Sequence, residues 1–479
     1  MFLRAGALSL ALLLASRVLG VLRESAVAAA FGRSASADLA VLMLALPDWL
    51  ASVTAAGALS YVLLPAWAAA SPAQVAVLQR RVGRLLLAGS TALAIGIALL
   101  HQPLLRWLVA GLPQQLEGTG RDALFWSAAA LPAAFLAALW ATRLQHERDF
   151  AGLYAGHLLV NAILVAALVF LAGQAHAIAW LGGAFALAMA GRLLWYAGRM
   201  PRAQAAPQPG PAALPPAGTW AVAVLAAGLP LALPFAARSA ASPAGEGALA
   251  TFNYAWKLVE LPQILAIQLV ASLALPAVAR ALAAREPDDA PVRQAFVLAW
   301  TLGCACLAGL QAGGHALAEL LFGWGRMTPD ALELVSRWAT AGSWSLLPQA
   351  LGAVALTVLA AERRMAAAAW AYGAALLALL ALAAAGVSSG EWLMYALAAG
   401  WLLVAAACLA ALRRRLARWL PWQGLAVPLV VAALAGPGLR TIASPTSMVA
   451  GLLFAALAGI LVLAAGLWRS PELRHSLRR

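Results

Sequence analysis

The chain has 479 residues, of which 64% are hydrophobic and 10% are charged. Soluble globular proteins are about 45–50% apolar and about 25% charged, so this composition excludes a soluble domain and indicates a polytopic membrane protein. The formal net charge is +14, but the arginines form short clusters between apolar segments. That pattern is typical of positive-inside topology and argues against a nucleic-acid-binding face.

The apolar segments are long enough to cross a membrane many times. A spanning helix needs about 20 mostly apolar residues, and this criterion predicts an all-α polytopic membrane protein with about 14 transmembrane helices. The predicted segments are 5–31, 37–69, 83–110, 121–143, 151–172, 176–198, 219–240, 248–283, 293–322, 331–361, 365–386, 391–412, 423–440 and 447–468.

The connections between these segments alternate between rich and poor in arginine. The rich side includes the cluster around Arg80 and the run from Arg413 to Arg418, and the positive-inside rule places it in the cytoplasm. Both termini are therefore expected in the cytoplasm, which argues against a cleaved signal peptide because cleavage would leave an odd number of spans. The few basic residues expected on the opposite side are Arg33, Arg121, Arg238, Arg326 and Arg440.

Two blocks of the chain share four short motifs in the same order. Leu46-Pro47 recurs as Leu261-Pro262, and the other three motifs recur at nearly the same offset along the chain. This indicates a duplicated six-helix unit, with the substrate site expected between the two repeats. The predicted domains are a six-helix N-lobe at 1–200, a Pro/Ala-rich cytoplasmic linker at 201–218, a six-helix C-lobe at 219–412, and two extra helices with a basic cytoplasmic tail at 413–479.

Charged residues lie at mid-depth of the first predicted helix. An arginine at such a position costs about 2.5–3.5 kcal/mol to insert and usually faces a water-filled cavity or a partner. Arg17 and Glu24 are seven residues apart on one face, which allows a partial ion pair, and Arg23 points elsewhere and is favoured as the contact for a ligand. In the fifth segment His157 shares a face with Asn161, and His157 alone is interpreted as a buried core histidine. Further polar candidates in this copy are Asp38 and Asp48.

The corresponding stretch of the second copy carries the single lysine of the chain. Asn253, Lys257 and Glu260 follow the spacing i, i+4, i+7 and share one helix face. Lys257 and Glu260 can pair locally, which lowers the cost of burying them, and Pro262 is expected to loosen the helix just beyond. Two interpretations stay open: an internal ion pair that only holds the lobes together, or a cation for an anionic ligand.

Nothing in the sequence indicates hydrolytic or transfer chemistry. It contains no G-x-S-x-G, no H-E-x-x-H and no phosphate-binding loop. The three cysteines lie in apolar segments without metal-ligand spacing and are interpreted as small buried hydrophobic residues. The sequence therefore implies no enzyme activity, no cofactor and no metal.

Residues spread over the whole chain carry a family resemblance. The last two motifs are Tyr254-Ala255-x-Lys257-Leu258-x-Glu260-x-Pro262 and Leu321-Phe322-Gly323-x-Gly325 with Thr328. The amino-terminal signature comprises Ser16-Arg17-Val18-Leu19-Gly20, Arg23-Glu24, Phe31-Gly32, Asp38, Leu46-Pro47, Gly57-Ala58-Leu59-Ser60 and Pro65. Together these motifs resemble the MurJ/MviN family of lipid II flippases.

The resemblance implies the fold of the multidrug/oligosaccharidyl-lipid/polysaccharide exporters. In that fold two six-helix lobes surround a cationic cavity, and two extra helices form a groove for a lipid tail. The resemblance also implies that Arg17, Arg23 and Asp38 are cavity residues, and that Lys257 stands where the family usually has arginine.

The chain departs from the family pattern at two places. Ala51 and Ser52 stand where the family has an Arg-Arg pair, and Ala55-Ala56-Gly57 stands where the family has Ala-Glu-Gly. One cation expected around the pyrophosphate is therefore missing, and another is changed from a planar fork to a point charge. These departures leave the identity of the saccharide open.

The leading hypothesis is a flippase that moves a polyprenyl-pyrophosphate-linked cell-wall precursor, lipid II, to the outer leaflet of the bacterial cytoplasmic membrane for peptidoglycan synthesis. It works by alternating access: Arg23 and Lys257 bind the diphosphate from opposite lobes, Arg17 supports them, and Asp38 and Glu260 orient the cations. The partners are an undecaprenyl-diphosphate saccharide and membrane lipids, without nucleic acid; the membrane potential and a coupling ion stay open as energy sources. The predicted substrate-binding residues are Arg17, Arg23, Asp38, Asn161, Asn253, Lys257 and Glu260.

Three alternatives accompany this hypothesis. The first is a flippase or exporter of the same fold for another lipid-linked saccharide, an exopolysaccharide or O-antigen repeat unit. The second is a membrane enzyme acting on lipid-linked sugars, which needs a sizeable acidic or histidine-bearing outer loop that the chain lacks. The third is a drug or ion antiporter, for which the predicted cavity is too basic.

Overall fold

The structure is a computed structural model, and within its described residues every regular element is helical. It describes residues 2–53, 57–171, 173–174, 176–200, 214–283, 289–362, 364–442, 447–472 and 474. The predicted all-α fold class is confirmed for these residues. Most of the predicted linker and the predicted departures at Ala55 and Ala56 lie outside them.

The described residues separate into two compact units. Unit 1 comprises Met1–Phe235, Gly245–Ala250 and Trp324–Met327. Unit 2 comprises Ala236–Ala244, Thr251–Gly323 and Thr328–Arg479. The boundary falls inside two helices near residues 235 and 250, and the predicted division at 1–200, 201–218, 219–412 and 413–479 stays a prediction.

Unit 1 is built around one central helix. Its α6 contacts α2, α3, α4, α5, α7 and α8. The helices that lie wholly or mostly in this unit are α1 (Phe2–Phe31), α2 (Ala35–Ala51), α3 (Gly57–Ala68), α4 (Pro72–Leu99), α5 (His101–Leu108), α6 (Glu117–His146), α7 (Phe150–Leu171), α8 (Ala177–Arg199) and α9 (Ala217–Ala241).

Unit 2 is also organised around a central helix. Its α12 contacts α11, α13, α14, α17, α18 and α19. The helices are α10 (Ala248–Pro262, whose first turn belongs to unit 1), α11 (Leu269–Ala283), α12 (Ala290–Phe322), α13 (Pro329–Ser343), α14 (Leu346–Ala361), α15 (Ala366–Ala384), α16 (Gly390–Ala411), α17 (Arg413–Trp419), α18 (Trp422–Ile442) and α19 (Met448–Arg469).

Small residues allow α12 and α19 to pack closely. A Cβ atom on Gly309 would lie 3.3 Å from the carbonyl oxygen of Ala455, and one on Gly313 would lie 2.5 Å from that of Gly451. Gly313 also departs from helical geometry and kinks α12. Helices in lipid associate through such close backbone approach, because no hydrophobic driving force distinguishes a neighbouring helix from a lipid tail.

Fewer than fourteen helices of the described residues are long and apolar enough to cross a membrane by themselves. Ten helices in the described residues are long and apolar enough to cross a membrane, and eleven if α13 and α14, bent by 44°, form one span. Each predicted segment falls on helix, but the count of fourteen is not confirmed. Two predicted spans, 37–69 and 248–283, are divided by breaks into helices of 12 to 17 residues.

Both breaks follow the proline of the repeated Leu-Pro motif. Pro47 lies inside α2, and a π-type turn begins five residues later at Ser52. Pro262 ends α10, and a π-helix follows at Gln263–Gln268. Proline removes a backbone donor and clashes with the preceding turn, and π-turns absorb such irregularities. The expected loosening beyond Pro262 is confirmed.

A second conformational match supports the duplication. Gly32 (φ 62°) precedes α2, and Gly247 (φ 74°) precedes α10. Both adopt the left-handed region that favours glycine. The offset between these two glycines equals the offset between Pro47 and Pro262. The same backbone turn therefore occurs at the same place in each copy.

Candidate functional site

Arg23 lies at the centre of a polar cluster formed by α1, α2 and α7 of unit 1. Its side chain is 14% exposed. One guanidinium nitrogen lies 2.7 Å from a carboxylate oxygen of Glu24, and another lies 3.6 Å from Asp48 and 3.4 Å from the amide oxygen of Asn161. The prediction that Arg23 and Asn161 face a common site is consistent with this geometry.

Glu24 pairs with its sequence neighbour Arg23. It accepts from the Arg23 guanidinium, because the long arginine side chain reaches back to it and is held there by Asp48 and Asn161. Arg17 is exposed, and no carboxylate of the described residues lies within 4 Å of it. Arg23, which the sequence leaves as the ligand contact, is thus itself paired with carboxylates, Glu24 and Asp48.

His157 is not the buried core histidine that the sequence analysis favoured. Its side chain is exposed. It lies on α7, which packs against α1, the helix of Arg17, and against α8, the helix of Arg192. Sequence reasoning missed Arg192, although its position within an apolar stretch of the sixth predicted segment was a usable signal.

Asp38 is buried but does not orient the cations. Its two carboxylate oxygens accept hydrogen bonds from the backbone N–H groups of Gly247 (3.0 Å) and Ala250 (2.7 Å) at the start of α10. In the described residues no ion pair within 4 Å joins it to Arg17 or Arg23. Glu24 and Asp48 take the orienting role that the sequence analysis gave to Asp38.

In unit 2, Asn253 lies against Arg238, which was expected in a connection on the side opposite the cytoplasm. Arg238 is buried within α9 and donates to the side-chain oxygen of Asn253 at 3.0 Å. Arg238 follows Arg23 by the same offset that separates Pro262 from Pro47 in the repeat. That offset was the signal that would have identified it as the second copy's counterpart of Arg23.

The predicted pair between Lys257 and Glu260 is confirmed. The ammonium nitrogen lies 2.5 Å from a carboxylate oxygen, and both side chains are 28% exposed. Each stays accessible to a ligand, which a fully buried structural pair would not be. The Lys257 ammonium is a compact point charge that can contact a phosphate oxygen without the bidentate geometry of arginine.

Long apolar helices that carry charged residues in their interior define a class of multi-pass membrane proteins with polar sites inside their helical units, a feature typical of transporters. The model of the family described as lipid II flippase MurJ matches residues 27–466. The chain therefore belongs to the lipid II flippase MurJ family.

Solved structures share the fold at low sequence identity. One is lipid II flippase MurJ in an inward closed conformation, with a TM-score of 0.84 and 15% identity over 99% of this chain and 100% of that one. An inward-facing multidrug resistance MATE family transporter has a TM-score of 0.60 at 14% identity, over 84% and 95% of the two chains. A MOP superfamily transporter from Pyrococcus furiosus reaches 0.57 at 14% identity, over 87% and 96%. No curated protein matches the sequence.

Proposed function

We propose that this protein translocates lipid II from the inner to the outer leaflet of the bacterial cytoplasmic membrane by alternating access, for peptidoglycan synthesis. Membership of the lipid II flippase MurJ family supports this function over the export of another lipid-linked saccharide. The structural observation that carries it is the set of cations inside the helices, each able to meet a phosphate. A transporter, rather than a catalyst, fits the family.

Two cations are proposed to contact the diphosphate. Arg23 supplies a planar fork from unit 1, and Lys257 supplies a point charge from unit 2. Charge-assisted hydrogen bonds to phosphate are about twice as strong as neutral ones. Asn161 and Asn253, which hydrogen-bond Arg23 and Arg238, complete the proposed set with Arg17.

The carboxylates give the site its reversibility. Glu24 and Glu260 neutralise Arg23 and Lys257 when no substrate is bound, because an unpaired buried charge is costly. A diphosphate then competes with a carboxylate already in place, so the net affinity stays moderate and release is fast. A transporter needs this property, since tight binding would retain the substrate.

The orientation in the membrane is also a proposal. The arginine-rich connections support cytoplasmic termini, and the substrate's polyprenyl tail stays among membrane lipids. The membrane potential and a coupling ion are both compatible with these charges as energy sources. Single-cysteine labelling from outside at Gly173→Cys and Gly386→Cys tests the orientation: both connections are expected to react in intact cells, and protection of either contradicts the topology.

The function is tested by transport in reconstituted vesicles that contain fluorescent lipid II. Arg23→Ala and Lys257→Ala are expected to reduce the initial rate at least tenfold, with Arg121→Ala, an exposed arginine of unit 1, as the matched control. Unchanged rates in both variants would refute the site assignment. In cells, depletion of this protein is expected to stop peptidoglycan synthesis and cause lysis. Normal growth with loss of a surface polysaccharide would refute the lipid II assignment.

A further inference from the structure

Arg192 is a buried arginine without a counter-charge. It is 7% exposed, and its Nε atom is buried without a hydrogen-bond partner. Among the described residues no carboxylate lies within 4 Å of its guanidinium. An uncompensated cation at this depth is expensive, so such residues face a water-filled cavity or an anionic partner.

Three other arginines inside the helices of the described chain each have a side-chain partner. Arg143 lies 2.6 Å from Glu147, the part-buried Arg23 lies 2.7 Å from Glu24, and Arg238 donates to the amide oxygen of Asn253. Each is therefore stabilised by the protein itself. Arg192 has no such partner in the part of the chain that the structure describes, which points to a partner that is not protein.

The helices of unit 1 bring two more groups to Arg192. α7 packs against both α1 and α8, and Gly156 lets α7 and α8 approach closely because its missing side chain leaves room for the Tyr196 ring. His157, next to Gly156, therefore lies on the helix that contacts both the helix of Arg192 and the helix of Arg17. Neither arginine is neutralised by a carboxylate of the described residues, in contrast to Arg23.

We propose that Arg17, His157 and Arg192 form a phosphate-binding subsite of unit 1 that takes one phosphate of a lipid-linked diphosphate. Two guanidinium forks and an imidazole supply several N–H donors, the geometry that favours phosphate oxygens. The inference rests on the proposed function for the identity of the lipid. Its basis in the structure, the unpartnered Arg192, is independent of that function.

The subsite accounts for a feature of the sequence that is otherwise unexplained. Ala51 and Ser52 remove two cations that the resemblance leads us to expect in this half of the chain. Arg192 restores one of them from a different helix. The positive charge of unit 1 toward an anion is then carried by Arg17 and Arg192, with Arg23 already neutralised by Glu24 and Asp48.

The test is binding of inorganic pyrophosphate to the purified full-length protein, measured by titration calorimetry. Arg192→Gln is expected to weaken the affinity at least about tenfold, the effect of losing a charge-assisted contact, and Arg192→Lys is expected to recover part of it. Arg121→Gln, a distant exposed arginine, is expected to bind like the wild type. Wild-type affinity in Arg192→Gln would overturn the subsite.

A second variant keeps the proposal testable if Arg192→Gln fails to fold. The His157 side chain is exposed, so His157→Phe is expected to fold. It removes both ring nitrogens and is expected to weaken pyrophosphate binding about threefold or more, since the imidazole donor is lost. Unchanged binding in His157→Phe contradicts the subsite. Size-exclusion profiles and thermal unfolding of both variants establish that the folded protein is being compared.

A competition experiment distinguishes a lipid-linked diphosphate from a phospholipid headgroup as the ligand. A transport experiment distinguishes failure of the subsite from failure of the proposed function. Dodecyl diphosphate is expected to displace pyrophosphate, whereas displacement only by phosphatidylglycerol vesicles would overturn the assignment to a lipid-linked diphosphate. Lipid II transport is expected to fall in Arg192→Gln in parallel with binding. If the wild type binds pyrophosphate through Arg192 but moves no lipid II, the proposed function fails and the phosphate subsite stands.

Discussion

Asp38 caps the start of α10, a helix remote from it in sequence, because its Oδ1 atom accepts the backbone N–H of Ala250 at 2.7 Å. Its other oxygen accepts the N–H of Gly247 at 3.0 Å. A reciprocal contact exists, in which the side chain of Glu246 accepts the N–H of Ala35 at the start of α2. The starts of two repeat-related helices, all within unit 1, thus exchange carboxylate caps, which satisfy free N–H groups and the positive end of the helix dipole.

Removing the cap is expected to destabilise the protein. Asp38→Ala leaves two buried N–H groups without partners and should lower the free energy of unfolding by about 1–3 kcal/mol. Asp38→Asn keeps one acceptor oxygen and should cost about half as much. Thermal unfolding in detergent measures both, with the exposed Asp122→Ala as control. Equal stability of Asp38→Ala and wild type would show that these N–H groups find other partners.

The two carboxylates around Arg23 are expected to contribute unequally. Glu24 lies 2.7 Å from the guanidinium with its side chain 9% exposed, whereas Asp48 lies 3.6 Å away and is 40% exposed. Glu24→Gln should therefore destabilise the protein by about 3 kcal/mol, as for a broken buried pair, and Asp48→Asn by less than about 1 kcal/mol. Chemical denaturation compares the two, and an equal or reversed order contradicts the geometry.

The pair of Arg23 and Glu24 is also expected to influence release of the proposed substrate. With Glu24→Gln, less of the Arg23 charge is neutralised, so binding of a diphosphate should tighten while transport slows. Pyrophosphate titration and vesicle transport, measured on the same preparations, test this. Weaker binding in Glu24→Gln would mean that the carboxylate positions Arg23 instead of competing with the ligand.

Substitution by alanine is expected to have opposite effects on stability at two helical glycines of unit 1. A Cβ atom on Gly156 would clash with the Tyr196 ring, whereas one on Gly198 would meet nothing within 4 Å. Gly198→Ala should stabilise the helix by up to about 1 kcal/mol through propensity. Gly156→Ala should destabilise by about 1–3 kcal/mol through overpacking. Thermal unfolding distinguishes them, and tolerance of Gly156→Ala would show that Tyr196 can move aside.

The ion pair between Asp149 and Arg199 is expected to stabilise the folded protein in a pH-dependent way. Hydrogen bonds from Arg199, which lies 2.6 Å away, hold the pKa of the Asp149 carboxyl below its usual value. A lowered folded-state pKa adds stability that is fully present above the unfolded value of about 3.9 and is lost as the pH falls through the folded value. Asp149→Asn should lower the melting temperature at pH 7 and show a smaller loss on acidification. Parallel melting curves of variant and wild type below about pH 4 would contradict this.

Local sequence was sufficient for the elements of this protein and for part of its site. Apolar length predicted where helices lie, and Pro262 predicted the break that follows it, since both depend on residues close in sequence. The pair of Lys257 and Glu260 was predictable for the same reason, because residues three apart are neighbours on a helix. The high cost of a charge in lipid marked Arg17 and Arg23 without any knowledge of their partners.

Only the tertiary structure decided which charges are neutralised. Arg23 is held by Asn161 of α7, and Asp38 caps a helix that begins after Gly247. Arg192 and Arg17 lie on two helices that both pack against α7, the helix of His157. Sequence spacing determines the face of a helix on which a residue lies, whereas the rotation of each helix against its neighbours depends on packing along its whole length. That rotation pairs Glu24 with Arg23 and leaves Arg17 and Arg192 unneutralised in the described chain.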